Sequence, residues 1–585
     1  MTKTRLAAAL SLALLVAPVS QAAKYQVVEL PVAVKGQSSF PSSINEAGNI
    51  TVNVTSPYNI PIDLDLLDFE SEALINALTD VESASNGIFN TVDYEILLTA
   101  IRTGDGLQSA QQIANTISFL ASETETNYIP GFDQSSDPDN EFTLSSNTIA
   151  RDVNNTNFAV GTSEGSYNKV DYTFKTSLNA GQVATFVVHD FGTRAFVSLA
   201  DTVVDLPAPV ITAGGFSEAY GINDGNQVVG YGSTLFLTDT LETDITNCEN
   251  EDLIDDEDPE TPESEHLPIR GDIPVESCIS SVVSRLTSSV TSFAQLRGLI
   301  WQLDDQGNLI DTKQLGILFE PEVDDVTNYS SQALAINDNG IAVGVSNGQY
   351  IVNGVTATRN FGVIFDNDQI INITPDPETI VAQTSTTISS AADINNDNLV
   401  VGYQIKSVNG SNRTKFFVYD MNLNEITFPE DFFLGSSSIA LDINNNGLVV
   451  GYGDVDASLT GRRTEGFLYD NEAEQFNGLQ ELISCDSPYT IVQANSINDK
   501  DEIVATALYR GPARDSMGEI ILDSTGNEII IDLVSAVKLE PIVGGEIENC
   551  EIVDELNKER QGASVTWMLA FGFILLGWRR SKNRF

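Results

Sequence analysis

Seven times along the chain an aliphatic residue is followed by Asn, then by two or three small polar residues, then by a short hydrophobic run. The Asn positions are 45, 154, 223, 337, 395, 444 and 498. Most of the runs that follow resemble one another: FAVG, QVVGYG, IAVGVS, LVVGYQ, LVVGYG and EIVATA, with the first copy, ITVNV, looser. An apolar strand ending at Ile-Asn, a turn rich in Asn, Asp and Gly, and a β-branched second strand together describe a hairpin. Before most copies lies a second strand pair, for example 297–315, 360–374, 415–428 and 466–479. Each module is therefore expected to be about four short antiparallel strands.

The last three Asn spacings, 58, 49 and 54 residues, approximate a bare module, and the longer gaps carry insertions. A four-stranded sheet of this length buries both faces only by packing against similar sheets, which points to a β-propeller. The expected fold class is all-β, a propeller of seven blades with a small helical insertion and a C-terminal transmembrane or sorting helix. The final strand pair, 518–533, would be completed by Tyr25–Leu30. An open solenoid is the structural alternative. The aromatic residues Phe196, Trp301, Phe365, Phe417, Tyr419, Phe467 and Tyr469 recur at fixed places and are expected in the core between blades.

These repeats resemble the HAF-type extracellular repeats of exported bacterial proteins, which join an aromatic strand to an A-x-x-I-N-x-x-G-x-x-V-G segment. The resemblance spans most of residues 25–533. It implies an exported protein and brings no catalytic residues with it.

The ends supply an address. Lys3 and Arg5 precede an apolar run from Leu6 to Ala17, then Pro18 and the small residues Ser20 to Ala23. That order is the pattern of a secretory signal peptide, here residues 1–23. At the other end Val565–Trp578 is apolar and is followed by Arg579, Arg580, Lys582 and Arg584. The basic cluster favours the cytoplasmic side, which would leave the body, residues 24–560, in the periplasm. Gly562-Ala563-Ser564, the short apolar stretch and the Arg-rich end resemble GlyGly-CTERM sorting tails, with Gly-Ala replacing Gly-Gly. That resemblance implies transient anchoring of residues 561–585 in the inner membrane, cleavage by a rhomboid-type sorting protease, and release to the cell surface or medium.

Composition excludes one class of partner. The 83 Asp and Glu residues outnumber the 29 Lys and Arg, a net charge of -54, so the body repels nucleic acid, whose binding needs cations to neutralise phosphates. Four cysteines in an exported chain are expected as disulfides; sequence order suggests Cys248–Cys278 and Cys485–Cys550, with other pairings open. Apolar residues at helical spacing mark Glu70–Leu78, Val92–Ile101 and Ala110–Leu120 as a helical cap inserted over about 66–122. The segment 247–278 reads as an acidic loop, and 122–146 as polar and irregular.

Candidate chemistry is sparse. Asp442, Asn444 and Asn446, and likewise Asp393, Asn395 and Asp397, fit the first half of an oxygen-ligand loop for calcium. Positions nine and twelve of those loops hold Val450 and Gly453, or Val401 and Gln404, where carboxylates should stand, so turn formation is the expected role and calcium the only cofactor considered. Gly161–Gly165 matches G-x-S-x-G, but a second strand follows it instead of the helix that a nucleophile elbow needs. His189 is expected at a strand end, and His266 within the acidic loop. The functional expectation is an exported, surface-displayed, non-catalytic propeller that binds an unknown extracellular ligand or envelope protein. The alternatives are a hydrolase or lyase acting on extracellular polymers, and a membrane-anchored envelope assembly factor.

Overall fold

A computed structural model describes residues 24–548, apart from 105–109, 136–140, 176–178, 200–201, 252–268, 323–324, 326 and 458–460. Seven four-stranded antiparallel sheets form the seven blades, with an added two-stranded sheet. Blade one runs Gly36–Ile44, Ile50–Pro57, Thr116–Ala121, Thr126–Ile129 from the channel outwards. Blade six, with Ser438–Ile443, Leu448–Asp454, Thr464–Asp470 and Gln475–Gly478, follows the same order.

The hairpin motif explains itself residue by residue. The position three after each Asn has positive φ in all seven copies: Gly48, Asn157, Asn226, Gly340, Asn398, Gly447 and Asp501. Only Gly and the short polar residues reach that region at low cost. Every innermost strand also carries a β-bulge just before the Asn, as between Ala440 and Asp442 or Ala391 and Asp393. Opposite the bulge sits the glycine of the V-G-Y run. A Cβ on Gly451 would lie 2.0 Å from the Ile439 carbonyl oxygen, so the two inner strands approach too closely for any side chain there.

Between blades the core is aliphatic and aromatic. Trp301, Phe196, Phe417 and Phe467 are fully buried, and Phe365, Tyr419 and Tyr469 nearly so, as their recurrence suggested. Phe416 of blade five packs on Phe467 and Tyr469 of blade six, centroids 4.9 and 5.6 Å apart.

Blade seven is closed by the N-terminal strand, Tyr25–Glu29, as expected, but its partner differs. It pairs with Ile530–Pro541, with Tyr25 opposite Pro541 and Val27 opposite Leu539. The 518–533 pair is not the blade: its first half projects in short bridges, Arg514 to Ile520 and Leu522 to Glu528. Three further expectations are corrected. Ala110–Leu120 is no helix; Thr116–Ala121 is the third strand of blade one, and its alternate residues Ile117 and Phe119 face the core. The 122–146 stretch holds that blade's fourth strand, Thr126–Ile129.

The helical cap itself is real, as α1 (Glu72–Ala77), α2 (Val81–Ser85) and α3 (Thr91–Thr103). Asp93 fastens it, accepting from the backbone N–H groups of Thr79 and Asp80. The 247–278 segment is not wholly loop. Cys248 lies in the last turn of α4 (Thr240–Glu249), Cys278 lies in α5 (Val275–Ser288), and the two form a disulfide with Cα atoms 5.6 Å apart. Cys485 is also disulfide-bonded. Cys550, His266, most of the acidic run, residues 1–23 and the tail with Gly562, Ala563, Arg579 and Arg580 lie outside the described residues. Among the described residues no helix is long and apolar enough to cross a membrane.

Candidate functional site

Two faces compete for function, and the Asn motif makes one of them. Asn45 donates from Nδ2 to the backbone carbonyl of Asn154, Asn154 to Asn223, Asn223 to Asn337 and Asn337 to Asn395, at 2.9–3.3 Å. Asn395 donates to Asn444, Asn444 to Asn498, and Asn498 back to Asn45, at 2.9–3.1 Å. The ring is closed. A second ring lies beside it: the backbone N–H of each following residue donates to a side-chain oxygen of the next copy, from Glu46 to Asn155 and onward until Asp499 reaches Glu46. The rings surround a channel mouth of about 360 Å³.

Two of the six calcium candidates, Asn395 and Asn444, belong to the first ring; Asp397 and Asn446 lie two residues further on in the hairpin turns, and Asp393 and Asp442 two residues before. Asn395 and Asn444 turn Oδ1 to their own hairpin N–H groups, at Asp397 and Leu399 or Asn446 and Leu448. The bulge swings Asp393 and Asp442 into the channel, where Asp393 accepts from the Ile443 N–H and Asp442 from the Ile497 N–H. Burial first, then the charge of Asp442 and a hydrogen bond to it, pushes the Asp393 carboxyl well above its ordinary range. Asp152 of blade two sits in the same register, accepts from Ser43 Oγ and the Ile222 N–H, and is likewise raised by burial. The Asp393 and Asp442 carboxylates thus join neighbouring blades while the Asn395 and Asn444 side-chain oxygens hold their own hairpins, and no group of three or more His, Cys, Asp or Glu side chains placed to hold a metal occurs among the described residues.

The other face carries the decorations. The connection from second to third strand leaves each blade at the end opposite the Asn turn, and there lie α1–α3, the added hairpin (Tyr167–Thr173 with Val183–His189), α4 and α5, and the 513–529 projection. Three of these insertions meet around a cleft of about 410 Å³. Gln112 and Ile113 come from the irregular segment between α3 and the third strand of blade one, Glu164 from the end of the second strand of blade two, His189 and Phe191 from the end of the added hairpin and the turn after it, and Val283, Ser284 and Thr287 from α5.

The cleft is held rigidly. Ser280 Oγ of α5 accepts from the His189 N–H at 3.0 Å. Phe191 stacks edge-on against Phe132, centroids 5.1 Å apart, and the Arg194 guanidinium lies 4.2 Å from its ring centroid. A Cβ on Gly192 would meet Thr287 Oγ1 at 1.7 Å, so this glycine allows α5 to close the cleft wall. Glu164 Oε2 accepts from Gln112 Nε2 at 3.1 Å and from Asn147 Nδ2 at 2.9 Å.

The sequence places His189 at a strand end, and it ends the added hairpin. Gln112 carries no signal in the sequence and Glu164 stands there only as a member of the Gly161–Gly165 match, because only the fold brings the end of a blade strand beside three insertions. Ser163 of the G-x-S-x-G match is buried within a strand, accepts from the Phe132 N–H and donates to the Glu164 carbonyl, so it presents no nucleophile.

A family model described as "Protein of unknown function (DUF3466)" matches residues 4–581. The chain belongs to this family. No curated protein matches it. Among solved structures it is similar to an acylaminoacyl peptidase of Pyrococcus horikoshii, at 10% identity and TM-score 0.27, covering 68% of this chain and 48% of that one. It thus spans about half the length of that peptidase. A Dyadobacter fermentans DSM 18053 protein of unknown function gives 10% identity and TM-score 0.27 over 90% of this chain and 98% of that one. A puromycin-hydrolyzing peptidase of Mycobacterium tuberculosis gives 9% and 0.23 over 84% and 62%.

Proposed function

We propose that this DUF3466 protein is an exported, non-catalytic binding module that engages its ligand with the decorated face of the propeller. The observation that carries this reading is the asymmetry of the two ends. One end is knitted by two closed hydrogen-bonded rings whose polar groups are spent on structure, whereas every long insertion leaves at the other. Loops placed by a rigid scaffold are where binding residues concentrate. Export is supported by the Lys3/Arg5 leader pattern and by the tail from Gly562 to Arg584.

The test uses the secreted chain on arrays of extracellular polysaccharides and peptides, with charge placed on either face. Ile351→Asp and Leu434→Asp alter exposed residues on the decorated side; Leu423→Asp alters an exposed residue beside the rings. Binding lost in the first two and kept in the third supports the reading. Turnover of a bound polymer, or loss with Leu423→Asp alone, overturns it. Mass determination of the C-terminus after cell fractionation tests the address: a chain ending near Gly562 in the medium supports release, and an intact tail in the inner membrane favours an anchored assembly factor.

A further inference from the structure

Nearly every polar group around the cleft has already directed a hydrogen inward, into the protein. On α5 the Ser284 hydroxyl donates to the Ser280 carbonyl and Thr287 to Val283. His189 Nδ1 lies 3.4 Å from the Ser166 carbonyl oxygen, a contact that places the proton on Nδ1 and leaves Nε2 as an acceptor in the neutral ring. Gln112 Nε2 points at Glu164 Oε2, which fixes the amide orientation, and Gln112 Oε1 is buried without a partner. All the hydrogen bonds received by Glu164 fall on Oε2, so Oε1 is available to accept. The remaining wall is apolar: Ile113, Phe191 and Val283.

Resting on the reading above, we infer that this cleft binds a cationic, donor-rich group, an ammonium or guanidinium carried on an apolar body, as in a peptide N-terminus or an arylalkyl amine. An unpaired acceptor in a half-buried site is costly, and a multi-donor cation satisfies several at once while its charge is met by Glu164. The Ile113 and Val283 side chains offer the apolar body a wall. Arg194, the cation stacked on Phe191, is already paired with Asp205 and the Gly214 carbonyl and is not free to receive an anion.

The chain has only two histidines, so histidine ring NMR on the full secreted protein is a direct reporter. Titration with phenethylammonium is expected to move one ring signal, that of His189, while 3-phenylpropionate moves neither. Glu164→Gln should weaken phenethylammonium binding at least tenfold, and Ser284→Trp, which fills the cleft from an exposed helix position, should abolish it with an unchanged melting profile. If Glu164→Gln fails to fold, Ser284→Trp decides. Equal or tighter binding of phenylpropionate, or no ring shift at millimolar phenethylammonium, overturns the inference. A face that still holds its polymer on the arrays while ignoring the ammonium rejects this cleft and leaves the broader reading standing.

Discussion

Asn444 makes four hydrogen bonds with one buried amide: two accepted from its own hairpin and two donated, to the Asn498 carbonyl and to Asp501. Asn444→Ala should cost about 3 kcal/mol, the scale of leaving buried backbone partners unpaired, read as a lowered urea midpoint. The turn role of this Asn was legible from its neighbours in sequence. Its ring role was not, because the acceptor lies 54 residues away in another blade. Asp393 gives a prediction of opposite sign. Its pKa is raised on folding, so the folded state keeps a proton that the unfolded chain releases, and its contribution to stability is lost as pH rises from the ordinary aspartate range through the folded value. Asn supplies the same acceptor to the Ile443 N–H and a donor towards Asp442. Asp393→Asn should therefore match or exceed the parent in stability near neutral pH and flatten its decline above pH about 4, measured by thermal melts across pH.

At the scale of elements the seam between first and last blades is the informative place. Lys538, buried on the third strand of blade seven, meets Glu502 at 2.7 Å, Glu540 at 2.8 Å and Glu123 of blade one at 2.9 Å. Burial alone would lower its pKa, but these three carboxylates hold it above the ordinary lysine range. Lys538→Met removes the one cation from among three acids and should cost about 3–5 kcal/mol, the scale of breaking a buried ion cluster from one side. Added salt should recover part of that loss in chemical unfolding. The closing strand makes a separate claim: a chain lacking residues 24–30 loses the buried Tyr25 and Leu30 and bares the Ile530–Pro541 edge. It should melt lower and aggregate, visible by light scattering. The helical reading of Ala110–Leu120 failed here because a short apolar run has no length to separate helix from strand; pairing with Ile50–Thr55 decides it.

For the whole molecule the governing quantity is charge. A net charge of -54 makes the folded chain repel itself, and screening relieves this. The melting temperature should rise by several degrees between about 0.02 and 0.5 M salt, and a flat or falling profile would show that local pairs such as the Lys538 cluster dominate. The same charge sets the expectation for partners: cationic groups are drawn to this surface and polyanions are turned away.

Periodicity along the chain was enough to determine blade number, the four-strand module, the hairpin turns and closure by an N-terminal strand. The first three depend on residues within a few positions of one another or on a pattern repeated seven times, and the closing strand is legible as the strand-like run Tyr25–Leu30 ahead of the first copy. The two interlocking rings, the partner of the closing strand, the buried carboxyl positions and the cleft shared by three insertions depend on groups separated by tens to hundreds of residues. Chain folding alone sets those distances, since no local preference of Gln112, Glu164 or His189 records that α5 will pack beside them.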